Sequence, residues 1–467
     1  MSPMELHHED TIAAIATPIG EGALSVVRLS GPAALQIADK VFIGATPLVA
    51  SRGYTAQHGW ICDSRGVHVD EAVATVFRSP RSYTGEDSVE FSCHGGILVT
   101  HRVLEILLES GARQAGPGEF TRRAFLNGRI DLSQAEAVAD LIAARSRRAH
   151  LSSIEQLEGR LAAQIKGVRS SLLDLCSLLE IDLDFSEEGI ELISRDQIRQ
   201  KLVGVTQKLS EMGASFDVGR HFREGVPVAI VGKPNAGKSS LFNMLLQSDR
   251  AIVTPIPGTT RDLLEESITL SGILFRLTDT AGLGNSEDIV EAEGIERSRA
   301  AVKRGDLLIL VADATEGEER EDLLAQIGQL REGQLCLVVH NKIDLLAEEA
   351  RDPRHFSVGE NRGVEVWISA KTGEGVERLK TELAALVVGT ADAGEGRFYI
   401  TNRRHRDAIE RSKGSLETAV SSLDAGTTNE FVAFDVREAV QALSEITGEV
   451  TTEEILESIF SRFCIGK

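Results

Sequence analysis

Residues 232–239, GKPNAGKS, restrict the fold of this chain more than any other stretch. They match the pattern G-x-x-x-x-G-K-[ST] and directly follow an apolar strand candidate, Val226–Val231. The two glycines let the backbone curl so that successive N–H groups point inward, toward an anion at the positive end of the next helix. The segment therefore predicts a strand, a phosphate-binding loop and a helix. The residues expected to contact the ligand are Asn235, Ala236, Gly237, Lys238, Ser239 and Ser240.

Within that loop, two side chains have separate expected roles. Lys238 is expected to reach the terminal phosphates, and the Ser239 hydroxyl is expected to face a Mg²⁺ ion. A second phosphate-site motif, Asp279-Thr280-Ala281-Gly282, ends the strand candidate at residues 273–277. It would place a carboxylate beside Mg²⁺ and a glycine amide beside the γ-phosphate.

Two later motifs indicate which base is bound. Asn341-Lys342-Ile343-Asp344 follows the strand candidate at residues 335–339, and Ser369-Ala370-Lys371 comes further along. The Asp344 carboxylate can accept both N–H donors on the edge of guanine, a pairing that adenine does not offer. The four ordered motifs predict a domain over residues 226–388 that binds GTP rather than ATP.

Two departures from the usual GTPase pattern bear on hydrolysis. Leu283 stands where a water-positioning Gln is usual. Asn235, together with the stretch TPIPGTT at residues 254–260, could bind a monovalent cation in the place of an arginine finger, or Asn235 could simply stiffen the loop. The sequence alone does not choose the water-orienting residue among the acidic candidates Glu287, Asp288, Glu291 and Glu293.

The flanking regions predict a small α/β domain followed by a helical bundle. Strand candidates lie at residues 11–16, 24–29, 69–77 and 89–92, with helical spacing at residues 33–41 and 97–110. A capping box at Ser133 is expected to begin one long helical pattern that continues to Leu172, and another at Ser194 begins the next helix. Beyond the GTPase region, apolar spacing resumes in a face of Phe431, Val432, Val436, Val440, Leu443 and Ile446.

A last capping box, at Thr451, is expected to begin the final helix. Helical patterns on both sides of the GTPase region predict one bundle interrupted by an inserted domain. Near the end of the sequence, Cys464 follows Phe463, and packing in a buried position is the interpretation favoured over a nucleophile. The clusters of arginines at residues 145–148 and 403–406 are interpreted as solvated helix faces.

Composition narrows the functional classes. A chain of 467 residues is too long for one core, and its formal net charge of −21 argues against a general nucleic-acid coat. Five scattered cysteines without ligand spacing indicate a reducing cytoplasm and no structural zinc. We find no pattern typical of a signal peptide, a transit peptide or a membrane span, and therefore expect a cytoplasmic protein.

The chain resembles the MnmE (TrmE) family of tRNA-modifying GTPases. The residues that carry the resemblance are GPGEFTRRAFLNGRIDLSQAEAVADLI at 116–142, GKPNAGKSSLFN, TPIPGTTRD, DTAGL, LSEITGE at 443–449 and the final FCIGK. The resemblance implies a multidomain α/β plus α fold. Its parts would be an aminomethyltransferase-like folate-binding domain at 1–125, a helical domain at 126–222 and 391–467, and an inserted Ras-like P-loop GTPase domain at 223–390.

The resemblance also implies ligand contacts. A 5-formyl- or 5,10-methylene-tetrahydrofolate would be bound by Arg28, Glu90, Arg129 and Lys467, although from the residues alone Arg28, Glu90 and Arg129 are ordinary salt-bridge formers. Relatives often carry Lys where this chain has Arg129, which keeps the charge but presents a planar fork in place of a point charge. Potassium would be held by Asn235, Thr254, Ile256 and Thr259, and Mg²⁺ by Ser239 and Thr260. Glu291 would orient water, and Cys464 is a catalytic candidate whose role is open.

Finally, the resemblance implies partners and an activity. The N-terminal domain would form a homodimer, which would join an FAD-dependent subunit, MnmG, in a heterotetramer that modifies carbon 5 of the wobble uridine of certain tRNAs. Potassium and GTP would draw two GTPase domains together, and hydrolysis would release them. The alternatives are a ribosome-assembly GTPase and a regulatory GTPase that senses folate.

Overall fold

The computed structural model describes residues 10–185, 193–249, 265–279, 302–317, 320–327, 330–346, 352–389 and 398–467. These residues divide into two compact units. The described residues of the first unit fall within Met1–Ala139, Leu157–Ala163 and Ser444–Lys467, and those of the second fall within Asp140–Gln156 and Gln164–Leu443. Among the described helices, none has the length and apolar character needed to cross a membrane. The division into segments 1–125, 126–222, 223–390 and 391–467, which the family resemblance implies, stays a prediction.

The first unit is built on a seven-stranded sheet with strand order β3-β4-β5-β6-β2-β1-β7. All neighbouring strands are antiparallel except β1 and β7, so this part is α+β rather than parallel α/β. The predicted strands and both predicted helices are present. Their bounds are β1 Ile12–Ile15, β2 Gly22–Ser30, α1 Ala34–Val41, β3 Phe42–Gly44, β4 Thr55–Cys62, β5 His68–Phe77, β6 Ser88–Gly95, α2 Ile97–Glu109 and β7 Arg113–Gln114.

One face of this sheet packs on α1 and α2. Alternation along β2 and β6 turns Val27, Leu29, Val89 and Phe91 into that core, where each is fully buried. The residues between them point to the opposite face. The antiparallel register then sets Arg28 directly opposite Glu90 on that second face.

The first unit also contains helices from both ends of the chain. The elements are α3 Glu119–Leu126, α4 Leu132–Ala143 in its N-terminal part, and the last helix, α14 Glu453–Phe460. A small apolar cluster of Leu132, Ala135, Leu456, Phe460 and Phe463 joins these helices. Beyond α14, Ile465 forms a β-bridge with Pro117, which fixes the final residues against the segment that precedes α3.

Two predicted helix starts were displaced by one or two residues. Helix α4 is capped by Asp131, whose carboxylate accepts the N–H of Gln134 at 3.0 Å, while Ser133 is buried inside the first turn. Helix α14 is capped by Thr452, not Thr451, and its hydroxyl accepts the N–H of Ile455. The pattern S/T-x-x-E fits several registers, and only the backbone conformation selects the residue that caps.

The prediction of one long helical stretch after Ser133 is wrong, because the structure has three helices there. They are α4, α5 Arg147–Leu157 and α6 Arg160–Phe185. Helix α5 starts at a new cap, because the Ser146 hydroxyl accepts the N–H of Ala149 at 3.1 Å. It stops at Leu157, whose carbonyl accepts the Gln134 side-chain amide at 2.8 Å.

In the second unit, α7 and α12 form an antiparallel helix pair. Ser194 and Gln197 form the predicted capping box at the start of α7. Arg195 then donates to the Leu423 carbonyl at the end of α12, at 3.1 Å. The bounds are α7 Arg195–Ala214, α8 Phe216–Glu224, α12 Arg403–Asp424 and α13 Asn429–Thr447. Of the apolar face predicted for α13, Val432, Val436, Leu443 and Ile446 are buried, Val440 is partly buried, and Phe431 is 61% exposed.

The inserted region forms a second seven-stranded sheet, with strand order β13-β14-β12-β11-β8-β10-β9. Its five central strands, from β14 to β10, are parallel, so their carboxyl ends lie along one edge of the sheet. In such sheets ligands bind at that edge. The bounds are β8 Val226–Val231, α9 Lys238–Asp249, β9 Glu265–Leu270, β10 Ile273–Asp279, β11 Leu307–Asp313, α10 Arg320–Ile327, β12 Leu335–Asn341, β13 Arg354–Val358, β14 Asn361–Trp367 and α11 Val376–Val388.

Helix α8 joins the inserted sheet to the helices. Phe222 packs in the core of the sheet and meets Tyr399 edge to face, with ring centroids 5.1 Å apart. Just before α8, the Ser215 hydroxyl accepts the N–H of Ile400 at 3.0 Å. The segments through which the chain enters and leaves the inserted domain therefore lie next to each other.

The same helix is held to the start of β11 by a buried carboxylate. Asp306 accepts hydrogen bonds from Arg220 at 2.8 Å and from Arg331 at 2.8 Å, and lies 3.2 Å from His221 Nε2. Burial alone would raise the pKa of Asp306, but the hydrogen bonds from His221 and Arg331 hold that pKa well below its usual range.

Candidate functional sites

The phosphate loop connects β8 to α9 as predicted. A Cβ atom added at Gly232 would lie 2.1 Å from the Val311 carbonyl oxygen, and one at Gly237 would lie 2.1 Å from Asn341 Nδ2. Both glycines also have positive φ angles, which L side chains rarely adopt. The loop can therefore curl around an anion only with glycine at these two positions, and its shape fits a phosphate group.

Two polar residues of the loop have defined geometry. Lys238 Nζ donates to the carbonyl oxygens of Gly232 at 2.9 Å and Lys233 at 2.7 Å, which places the ammonium group at the loop itself. Asn235 is exposed and takes the left-handed conformation, with φ +61°. An exposed amide at the loop tip fits a cation ligand.

Asn341 ties the guanine motifs to the phosphate loop. Its side chain is 2% exposed; Nδ2 donates to the Ala236 carbonyl at 2.9 Å and Oδ1 accepts the N–H of Ala370 at 2.9 Å. One amide thus links three motifs that are far apart in the sequence. These contacts bring the phosphate loop and both guanine-site loops together.

The expected guanine acceptor lies in the same region. Asp344 Oδ1 accepts the Ser369 hydroxyl at 2.7 Å, so the carboxylate is oriented by the loop that carries Ala370 and Lys371. On the preceding strands, His340 stacks on Trp367 with ring centroids 4.9 Å apart and planes at 9°. This stack holds together the ends of β12 and β14, from which the two guanine motifs emerge.

Other predicted residues of the nucleotide site lie outside the described part of the chain. They are Thr254, Ile256, Thr259, Thr260, Thr280, Ala281, Gly282, Glu287, Asp288, Glu291 and Glu293. Asp279 ends β10, next to Ile230 of β8 in the sheet register, which places its backbone beside the phosphate loop.

A second group of functional candidates meets in the first unit. Arg28 Nε donates to Glu90 Oε1 at 2.8 Å across the sheet register, and Arg28 Nη1 lies 3.5 Å from the Gly466 carbonyl. Lys467 approaches the same place, because its backbone oxygen accepts the N–H of Phe120 at 3.2 Å and its ammonium lies 5.9 Å from the Tyr83 ring centroid. Three of the four residues assigned to folate are therefore brought together.

The cationic side chains of this cluster could contact an anionic ligand. Burial and the neighbouring Arg28 guanidinium lower the pKa of Lys467, while Glu90 opposes that shift. Two cationic side chains and one carboxylate side chain therefore meet in a half-buried site. A carboxylate-bearing ring compound such as a folate fits these cations and the flanking aromatic rings.

The fourth residue assigned to folate, Arg129, is linked to the Arg28 cluster only through a neighbouring residue. Arg129 Nε donates to the Ser82 carbonyl at 3.2 Å, and Ser82 immediately precedes Tyr83. Cys464, in contrast, is exposed while Phe463 is buried, so the expectation that the cysteine packs in a core is wrong.

Comparison with known proteins finds two family models that together match most of the chain. A family model described as "GTP-binding protein TrmE N-terminus" matches residues 11–129, and one described as "MnmE helical domain" matches residues 132–464. The chain belongs to the MnmE family. The resemblance deduced from the motifs is therefore confirmed.

Full-length relatives agree with this assignment. The protein named tRNA modification GTPase MnmE from Chlorobium chlorochromatii is 44% identical over 466 residues, covering 98% of each chain. The protein of that name from Symbiobacterium thermophilum is 45% identical over 461 residues, covering 98% of this chain and 100% of the relative. Among solved structures, the G domain of the T. maritima FeoB iron transporter is 29% identical, covering 34% of this chain and 98% of that one, with a TM-score of 0.25.

Two aromatic residues of this MnmE-family chain were missed by sequence reasoning. The Arg28 guanidinium lies 5.0 Å from the Tyr83 ring centroid and 5.5 Å from that of Phe120. Tyr83 also shares a 2.8 Å hydrogen bond with the Thr121 hydroxyl, which fixes the ring. Phe120 lies within the GPGEFTRR motif, which was a signal that could have identified it, whereas Tyr83 offered none.

Proposed function

We propose that this chain is a GTP hydrolase that acts, together with an FAD-dependent MnmG subunit, in the modification of carbon 5 of the wobble uridine of certain tRNAs. The observation that carries the GTPase part is the Asn341 amide, which joins the phosphate loop to the loop after β14 at 2.9 Å on each side. The names of the relatives support the tRNA part.

Guanine recognition follows from the Asp344 carboxylate. Because Ser369 donates to one of its oxygens at 2.7 Å, the carboxylate has a defined direction in which to accept the two N–H donors of guanine. Adenine would leave those acceptors without donors, at a cost large enough to exclude ATP.

Hydrolysis requires stabilisation of charge on the terminal phosphates. Lys238 supplies one positive charge, Ser239 and Thr260 would hold Mg²⁺, and Asn235 with Thr254, Ile256 and Thr259 would hold potassium. When bound, the two cations neutralise charge that develops on the transferred phosphate. Glu291 would orient the attacking water in the place of the missing glutamine.

The first unit would supply the one-carbon group. We propose that Arg28, Glu90, Arg129 and Lys467 hold 5-formyl- or 5,10-methylene-tetrahydrofolate, which carries a transferable carbon when bound. The meeting of the Arg28 and Lys467 cations with Glu90 in one half-buried cluster supports this assignment. A homodimer through the first unit and GTP-dependent pairing of the inserted domains complete the proposal.

The decisive experiment is nucleoside analysis of tRNA by mass spectrometry from a strain that lacks this gene. Loss of the modified wobble uridines, restored by the wild-type chain and not by Lys238→Ala, is the expected result. Unchanged wobble uridines would reject the tRNA part and favour a ribosome-assembly GTPase. Modification that persists with Arg28→Ala and Lys467→Ala would leave folate as a regulatory ligand.

Potassium is tested by replacing it with sodium. The proposal expects GTP turnover to fall far more than GTP affinity, because the cation acts on charge in the transition state. Equal turnover in the two salts would remove the cation from the mechanism.

The water-orienting residue is tested with Glu291→Ala. The expected loss of turnover is about two to four orders of magnitude, with GTP affinity retained. The matched controls are Glu287→Ala and Glu293→Ala, and normal turnover in Glu291→Ala together with a loss in one control would reassign the role.

A further inference from the structure

The last residue of β11 and the turn that follows it, residues 313–317, contact both loops of the nucleotide site. Asp313 Oδ2 accepts a hydrogen bond from Lys342 Nζ at 2.6 Å, and Glu316 lies 3.3 Å from Lys233 Nζ of the phosphate loop. Two residues earlier, the Val311 carbonyl oxygen is the atom that excludes a side chain at Gly232. The segment carries none of the four motifs that define the site.

Of these contacts, the one at Asp313 is the best anchored. Its other oxygen, Oδ1, accepts the Thr315 N–H at 3.0 Å and the Thr315 hydroxyl at 2.7 Å. The Asp313 side chain is 13% exposed and the Lys342 side chain 31% exposed. Burial alone would raise the pKa of Asp313, but the hydrogen bonds from Lys342 and Thr315 lower it, so the carboxylate is ionised at neutral pH.

The lysine it holds has a strained backbone. Lys342 has φ +70°, in the left-handed region that non-glycine residues rarely occupy. It lies between Asn341, which joins the loops, and the turn that carries Asp344. A strained residue keeps its conformation only when neighbouring contacts hold it, and the Asp313 ion pair is such a contact.

We propose that Asp313 is a positioning residue for guanine recognition, which acts by holding Lys342 so that Asn341 and Asp344 keep their binding geometry. The proposal rests on the GTPase function above. Its effect is on binding of the base, because Asp313 lies on the strand beside the guanine motif and the phosphates are contacted by a different loop. Asp313 and Asn341 are paired in the parallel register, and the Ala314 N–H donates to the Asn341 carbonyl at 2.8 Å.

The test is Asp313→Asn, which keeps the shape of the side chain and removes its charge. GDP affinity, measured by calorimetry, is expected to fall about five- to fiftyfold, the range for losing one charge-assisted hydrogen bond. The turnover number at saturating GTP is expected to stay within about threefold of wild type, because the phosphate contacts are intact. The preference for GTP over ITP, which lacks the 2-amino donor, is expected to shrink.

Glu316→Gln is the matched control. The Lys233–Glu316 pair has side chains 43% and 49% exposed, so its loss is expected to change GDP affinity less than about twofold. A double-mutant cycle with Lys342→Met identifies the route: Asp313→Asn should have no further effect once the lysine charge is gone.

The outcomes separate the two proposals. A wild-type chain that binds no guanine nucleotide rejects the proposed function itself. A wild-type chain that binds GDP, with Asp313→Asn of equal affinity, overturns the positioning role. An equal loss in the Lys342→Met background would show that Asp313 acts on the fold in general, which also overturns it, and thermal unfolding of each variant confirms that the protein is folded.

Discussion

The nucleotide loops and the Arg28 cluster are both polar sites, but they are encoded in different ways. Each nucleotide loop is a contiguous motif whose own residues, such as Gly232 and Gly237 with their positive φ angles, permit its backbone conformation. The cluster depends on sheet register and on distant parts of the chain: Arg28 and Glu90 are 62 positions apart, and Arg28 and Gly466 are 438 apart. A local motif can therefore be read from the sequence, whereas a site assembled by register requires the fold.

The largest expected effect tests the local encoding. Gly237→Ala should weaken GDP binding by at least about a hundredfold, because its Cβ would lie 2.1 Å from Asn341 Nδ2 and φ is +97°. Binding of 5-formyl-tetrahydrofolate should not change. Calorimetry with both ligands measures this, and Gly414→Ala, whose Cβ would meet nothing within 4 Å, is the control. Normal GDP affinity in Gly237→Ala would show that nucleotide binding does not require glycine at this position of the loop.

A smaller effect is expected from the cluster. Arg28→Ala removes the partner of Glu90 and the cation beside Tyr83, so affinity for 5-formyl-tetrahydrofolate should fall about ten- to a hundredfold with GDP affinity unchanged. Arg65→Ala, at a residue whose side chain is 81% exposed, is the matched control. If Arg28→Ala binds the folate normally, the cluster is a structural ion pair.

These two sites also mark how far the sequence could be interpreted. The strands, the phosphate loop and the guanine motifs were predicted because apolar alternation and glycine positions act locally. Tyr83 was missed because only the folded structure brings its ring next to the Arg28 guanidinium. The expected burial of Cys464 was wrong, and Phe431 of the apolar α13 face is exposed, because apolar character does not reveal which side of a helix or turn lacks a neighbour.

A helix cap offers a further test of what the sequence specifies locally, because losing a cap costs about 1 kcal/mol of stability. Thr452→Ala should lower the free energy of unfolding of the first unit by about 0.5–2 kcal/mol, because the hydroxyl that accepts the N–H of Ile455 is lost. Thr451→Ala should have almost no effect. Denaturant unfolding compares the two variants, and a larger loss with Thr451→Ala would restore the cap expected from the sequence.

The smallest expected effect is a pH dependence in the cluster. Burial and Arg28 lower the pKa of Lys467 below 10.5, so the unfolded chain binds more protons than the folded one between the two pKa values. The free energy of unfolding should therefore rise with pH in that window, and Lys467→Met should remove the rise. A flat profile in the wild type, measured by thermal unfolding, would show that Lys467 keeps its ordinary pKa.

The contacts around α8 have a consequence for how the chain folds. Because Phe222 meets Tyr399 and Ser215 meets Ile400, the two ends of the inserted domain are held side by side. Once the inserted domain has folded, it connects α7 to α12 as a short loop would. The pairing of these two helices then avoids the entropy cost of closing a loop as long as the insertion. We expect the inserted domain to fold first and the helix pair to close around it.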